Sequence, residues 1–594
     1  MTGPCPVVAH IKSPKPVWAI AALIASCLMS LSAVAQDRGA VRDSIPTPSV
    51  IGPVPSGNAA DGSNNHTFFA TDIALASHGY VEEEFYLEGR ANAYDAPIPT
   101  PPTPPMALAN IVTADVPYRT RIVVRRPSDP ARFNGTVVVE WLNVTDGFDG
   151  EYFWVQSHQY LLRAGYAYIG LSAQDNGISN SNTGLKTFNA ERYGSLDVTG
   201  RGGECCTADR LSYDIFTQAA KAAYAVPSVL NGLRPRNAIG IGMSQSGTRL
   251  GVYANYIHMR APIYDALLIQ VQNPVLRDDL PTPIIKVLSE SEAREPSLSQ
   301  AQPDTVTRRS YWVAGSSHGD TMQRTGRNGV RLRDLGLART PNDACGPNGS
   351  TLTRSRVPFR HVLNATLHHL KAQVEQNTAP PSGPALRLSS QASDQVQRDS
   401  AGNVVGGIRL AHMEVPTARA NGVECGNVGA WVPFSTVQLQ SLYSTHEDYV
   451  GKVRAAVAAS VAAGFVLPED ATETVAEAEA SIIGTGQECG PACLNRSHYR
   501  TEWSSTGLLR ETTVYYNIRN GQPLLDAADR AHRWTAAADS ATGDVAKQSR
   551  AAAVEDLRQY VAALETAQAS GNVTPTAAGV LRMQADAITK SLTP

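Results

Sequence analysis

The sequence predicts an α/β fold with a mostly parallel central sheet. Short apolar runs without polar alternation recur between helix-patterned segments, as expected of strands covered on both faces. One of them, NAIGIGM at 237–243, breaks at Ser244 into a helical segment, and an antiparallel pair of strands precedes the series.

The 594-residue chain begins with Lys12 and Lys15, an apolar run from Val17, and Ala33-Val34-Ala35 before Gln36. This is the layout of a secretory signal, cut after Ala35. The alternative reading, lipid attachment at Cys27, fits less well because the apolar run continues past it. No later run is long enough for a membrane-spanning helix, so no transmembrane anchor is expected after signal removal. Residues 36–65 read as an exposed leader. HGYVEEEFYLEGRANAY (78–94) and YRTRIVVRRP (118–127) read as the two front strands, joined through a Pro-rich connection. The buried strands follow at 135–144, 166–174, 237–243, 265–271, 283–290 and 311–317, with helices at 151–165, 212–226 and after Ser244. Past them come a helix at 357–376, a hairpin over 395–410 turning at Ser400–Asn403, and helical sequence over 441–480 with a stop at Gly464. The domain limits expected are 1–35 for the signal, 36–485 for the α/β domain and 486–594 for a separate C-terminal helical module. Within that module Val554, Leu557, Val561 and Leu564 mark one face, and Thr574-Pro575 starts the last helix.

Fifty-one Lys+Arg against 54 Asp+Glu give a net charge of −3, with 18% charged and 42% hydrophobic residues. That balance gives no basic surface for nucleic acid. Beyond the signal, Cys205, Cys206, Cys345, Cys425, Cys489 and Cys493 remain, an even number that in an exported chain suggests disulfides. CGPAC (489–493) can close a local ring, whereas adjacent Cys205 and Cys206 are expected to reach separate partners. A zinc site at CGPAC lacks a second ligand pair, so no metal and no other cofactor is expected.

Ser244 sits in G-M-S-Q-S-G with small neighbours at Gly242, Ser246 and Gly247. A serine on a tight strand-to-helix turn is exposed at the sheet's carboxyl end, provided small neighbours let strand and helix cross closely. Ser246 is the competing reading, as a helix N-cap. An activated serine needs a base and an acid that orients the base. His318 follows the strand in YWVAGSSHGD. Glu290 and Glu292 follow the strand before it, which gives the chain order serine, acid, histidine. Glu292 is the preferred acid because it lies farther into the loop, with Glu290 the alternative. The backbone amide of Gln245, together with that of Asn143 or Val144 in the loop leaving EWLNV, supplies candidate donors for an oxyanion.

Together VVVEWLNVTDG, GYAYIGLSAQ, SYDIFTQAAKA, AIGIGMSQSG, YWVAGSSHGD, GGIRLAHMEVPTA and GFVLPEDA resemble bacterial and fungal alpha/beta-hydrolase-domain proteins of largely unassigned substrate, over roughly residues 45–485. The resemblance implies an alpha/beta-hydrolase fold with Ser244, a carboxylate of SESE and His318 as the catalytic set. The chain departs from the pattern with glutamate where aspartate is commoner, and with an inserted GGECCTADR. The function expected is a secreted or periplasmic serine hydrolase acting on small-molecule carboxylic esters through an acyl-enzyme on Ser244. The alternatives are an acyltransferase, or a non-catalytic extracellular binding or scaffold protein that keeps the fold. With only 272–282 between two of the strands, no large lid fits there, and segments 173–210 and 395–410 are expected to shape the pocket.

Overall fold

In the computed structural model, residues 39–58, 61–96, 107–200, 205–206, 208–294, 298, 300–336, 354–389, 395–425, 427–486 and 505–593 are described. The signal segment, Cys345 and CGPAC lie outside them. A nine-stranded sheet forms the centre, made of β1 (Ser49–Ile51), β2 (Tyr80–Tyr94), β3 (Ile111–Pro127), β4 (Thr136–Trp141), β5 (Ala167–Leu171), β6 (Asn237–Met243), β7 (Ala266–Gln270), β8 (Ile284–Ser289) and β9 (Arg308–Val313). Their order across the sheet is β1-β2-β3-β5-β4-β6-β7-β8-β9. β1 to β3 are antiparallel, β3 meets β5 antiparallel, and every pairing from β5 to β9 is parallel.

The parallel strands are buried along their whole length in β4, β5, β6, β7 and β8. Their Val/Ile-rich composition suits surfaces covered on both sides by helices. On one face Trp154 and Leu161 of helix Tyr152–Ala164 join Leu363 and Leu367 of helix Phe359–Gln376 in one apolar cluster. On the other, Phe216 and Ala219 of helix Ser212–Ala225 pack with Leu250 of helix Gln245–Val252. Because the βα crossovers all run the same way, the loops after β4, β6, β8 and β9 gather at the carboxyl edge of the sheet.

Three features differ from the sequence expectation. The leader contributes β1, which pairs Ser49, Val50 and Ile51 with Glu88, Leu87 and Tyr86 of β2 and forms one edge of the sheet. Cys205 and Cys206 are disulfide-bonded to each other rather than to separate partners. Adjacent thiols were expected to diverge, but here they lie in a loop whose amides fold back on Thr199 and Gly200. The C-terminal helices Thr506–Tyr515, Gln522–Ser540, Gly543–Ala569 and Pro575–Leu592 are not separate either. Their Leu509, Tyr515, Tyr516, Tyr560 and Leu581 belong to the same buried cluster as Trp154 and Ile73. Polar contacts fasten the junction. His158 Nε2 lies 2.8 Å from the Tyr515 carbonyl, Tyr516 Oη donates to Asp72 at 3.1 Å, and Thr574 Oγ1 donates to the Asp72 carbonyl at 2.7 Å.

The 395–410 hairpin is present as paired bridges, Leu388 with Val396 and Arg398 with Val404, with Asp399 N–H donating to the Asn403 carbonyl at 2.8 Å. Its tip leans on Glu290 through Arg398. No described helix is long and apolar enough to cross a membrane.

Candidate active site

Ser244 joins β6 to helix Gln245–Val252 with φ 55° and ψ −118°, a left-handed conformation that a serine adopts only when its surroundings enforce it. Two glycines enforce it by removing bulk where strand and helix cross. A Cβ on Gly242 would stand 2.5 Å from the Ser246 carbonyl oxygen, and one on Gly247 would stand 3.1 Å from the Gly242 carbonyl oxygen. Ser246 is not the N-cap. It lies inside the helix, fully buried, with its hydroxyl 3.0 Å from both N and O of Met243, so it ties the turn to the strand end. Ser244 N–H donates to the Gln270 carbonyl at 3.0 Å, which fixes the turn to β7 as well.

Three side chains expected from the sequence meet there. Ser244 Oγ lies 2.8 Å from His318 Nε2, and His318 Nδ1 lies 2.7 Å from Glu292 Oε1. The imidazole and the carboxylate are nearly buried, with side-chain exposures of 14% and 10%. Glu292 is held from behind by a capping box: its Oε2 accepts from Ser289 N–H at 2.9 Å and Ser289 Oγ at 2.6 Å. Ser291 lies between the two loops, its Oγ accepting from His318 N–H at 3.0 Å and donating to the Gly422 carbonyl. A hydroxyl so placed can pass its proton to Nε2 while the carboxylate fixes the tautomer and balances the resulting imidazolium.

Glu290 has a different task. It is fully buried, one oxygen accepting from Gly315 N–H at 2.8 Å and the other from Arg398 at 2.9 Å. Burial raises its pKa against the pull of Arg398. Both its oxygens are engaged away from His318, so it does not serve as the alternative acid.

The candidate oxyanion donors separate in the same way. Asn143 is excluded, because its backbone N–H donates to the Gly150 carbonyl at 3.1 Å and its own carbonyl accepts from Gly150 N–H at 2.8 Å. Its side chain instead caps the strand end, donating to the Met243 carbonyl at 2.8 Å. The amides of Val144 and Gln245 donate to no acceptor among the described residues. Gln245 is the first residue of its helix, where the amides are unpaired within the helix and the dipole favours negative charge.

Described residues of segment 173–210 border this edge. Asn176 donates to the Val144 carbonyl at 2.7 Å, and Asp209 accepts from Arg249 of the elbow helix at 3.2 Å. The 395–410 hairpin instead sits behind the acid loop. Sequence reading missed Ser289, Ser291, Arg121 and Arg125. The S-x-x-E spacing of Ser289 and Glu292 was a usable signal for the first. Nothing local marks the arginines, whose partners lie on β2 and on the loop after β4. No group of three or more metal-ligating side chains occurs among the described residues.

The family model described as alpha/beta hydrolase domain matches residues 50–476. No curated protein is detectably similar in sequence. Among solved structures, a peroxisomal alpha-beta-hydrolase from Saccharomyces cerevisiae is 14% identical, with 33% of this chain and 44% of that chain covered at a TM-score of 0.19. Esterase B from Lactobacillus rhamnosis is 10% identical, covering 55% and 83% at 0.19. A glucuronoyl esterase from Teredinibacter turnerae is 9% identical, covering 52% and 91% at 0.19.

Proposed function

Since the chain belongs to the alpha/beta hydrolase domain family, we propose that it is an exported serine hydrolase that cleaves carboxylic esters of small molecules. The observation that carries this reading is the continuous hydrogen-bonded line from Ser244 Oγ through His318 to Glu292.

In the first half-reaction Ser244 Oγ attacks the ester carbonyl and its proton passes to His318 Nε2. The carbonyl π electrons move onto oxygen, where the amides of Gln245 and Val144 receive the negative charge. Collapse breaks the C–O bond of the ester, and His318 returns the proton to the departing alcohol. Water then enters by the same route: His318 takes its proton, hydroxide adds to the acyl carbon, and Ser244 leaves as the protonated alcohol. Glu292 stays ionised throughout, orienting the ring and offsetting its positive charge. Ester is preferred to amide because the sequence displays no peptide-recognition motif.

Fluorophosphonate labelling tests the nucleophile. The mature wild type is expected to label once, at Ser244, and Ser244→Ala not at all. Equal labelling of the two overturns the assignment. His318→Ala is expected to lower ester turnover by about 10,000-fold or more with the fold intact, read on chromogenic esters of graded acyl length. Export is tested by N-terminal sequencing of the mature protein, which is expected to begin at Gln36.

A further inference from the structure

The loop from Asn143 to Tyr152 carries the Val144 amide and is held by buried charge as well as by the packing of Phe148 against Phe69. Asn143 and Gly150 close it through two backbone hydrogen bonds of 3.1 and 2.8 Å. The residues on either side of Gly150 are both acidic, and each meets a buried arginine of β3. Arg121 Nη2 lies 3.3 Å from Asp149 Oδ2, and the same oxygen accepts from Ser172 Oγ. Arg121 also donates to Ser172 Oγ at 3.0 Å, to Glu84 at 2.9 Å and to the Phe68 carbonyl at 3.2 Å. Four residues along the strand, Arg125 Nη2 lies 2.8 and 3.0 Å from the two oxygens of Glu151. Its Nε donates to Glu82 at 2.6 Å, and its guanidinium lies 4.3 Å over the Trp154 ring. Side-chain exposure is 2% for Arg121, 0% for Arg125 and Asp149, and 10% for Glu151.

Buried ion pairs are a poor way to gain stability, since apolar residues of similar volume do as well or better. What they supply is geometry, because a guanidinium with its donors committed on several sides leaves a carboxylate one place to sit. The two pairs grip the loop at the one point where it folds back on Asn143, the residue before Val144. We propose that Arg121 and Arg125 are positioning residues for the oxyanion site: through Asp149 and Glu151 they set where the Val144 N–H points. This rests on the serine-hydrolase reading above and extends it to how the site is preorganised.

The test needs no known substrate. As a fluorophosphonate reacts, the Ser244 Oγ–P bond forms, the P–F bond breaks and the serine proton goes to His318, while the phosphoryl oxygen draws on the same amides as an ester carbonyl. Asp149→Asn keeps the shape and removes the charge that Arg121 holds. It is expected to lower the limiting labelling rate kinact about tenfold to hundredfold, part of what loss of an oxyanion donor costs, with KI unchanged within about twofold. Glu83→Gln removes a charge pair of the same strands, Arg126 with Glu83 at 2.6 Å, which does not touch the loop, and is expected to label like wild type. Ser172→Ala, which removes only the hydroxyl shared by Arg121 and Asp149, is expected to show the same split at smaller size and serves if Asp149→Asn does not fold. Wild-type kinact in the folded variants, or a change confined to KI, overturns the positioning role. Labelling that survives Ser244→Ala instead overturns the functional reading itself.

Discussion

Glu290 and Glu292 stand two residues apart, yet their surroundings give them opposite duties. Glu292 turns one oxygen to His318 and the other to Ser289, so Glu292→Gln keeps most of the packing and removes the charge opposite the imidazolium. Turnover is expected to fall by about 1,000-fold to 10,000-fold, with the melting temperature close to wild type. Glu290→Gln removes a fully buried carboxylate charge from its pair with the part-buried Arg398, and breaking a buried pair costs up to about 3–5 kcal/mol. Its melting temperature is therefore expected to drop, while activity per titratable serine stays within a few fold of wild type. The reverse pattern, stable but inactive Glu290→Gln, would exchange the two assignments. The residue types of this site were legible in the sequence because each follows an apolar run that ends a strand. The choice between the two glutamates was open there, because a spacing of two does not reveal that Arg398, more than a hundred residues away, engages one of them.

The elements around the site show where local sequence suffices and where it does not. β4 to β9 were readable from short apolar runs such as TVVVEW, since burial on both faces favours apolar and β-branched residues, with buried exceptions such as Glu140 and Lys286. β1 was not, because three residues of Pro-flanked sequence acquire strand form only by pairing with β2. The elbow is readable but intolerant: Gly242→Ala places its Cβ 2.5 Å from the Ser246 carbonyl oxygen. Overpacking of this kind costs about 1–3 kcal/mol, and since the displaced atoms adjoin Ser244, labelling should slow as the melting temperature falls. Helix Tyr152–Ala164 has its own pH dependence. Glu140 of β4 accepts from the amides of Phe153 at 2.8 Å and Trp154 at 3.1 Å and from Tyr168 Oη at 2.7 Å. Burial pushes its pKa up to about 7 from 4.5. The folded carboxyl therefore holds a proton that the unfolded one has lost, and this contribution to stability fades as pH rises from 4.5 to about 7. Urea unfolding across that interval should show Glu140→Gln losing less stability than wild type, by about 3 kcal/mol for a shift of this size. Parallel curves would show that Glu140 does not titrate there.

For the whole molecule, the C-terminal helices are part of the hydrophobic interior, which sequence could not disclose because an Ala-rich amphipathic helix looks the same whether it packs on its neighbours or on a distant domain. Tyr515, Tyr516 and Leu581 share one cluster with Trp154 and Ile73. A chain ending at residue 485 would leave that surface bare, so it is expected to be poorly soluble or to melt well below the chain that keeps these helices, measured by soluble yield and thermal unfolding; a truncated chain as soluble and stable as the untruncated one would make the helices dispensable. The bonds at Asp72 carry a consequence of another kind. It receives Tyr516 from 444 positions downstream and Thr574 from 502 positions downstream. Contacts closing loops of that size form late. During synthesis the patch around Asp72 must therefore wait, unsealed, until residue 574 has been made, a long interval in which a chaperone can still hold the chain open.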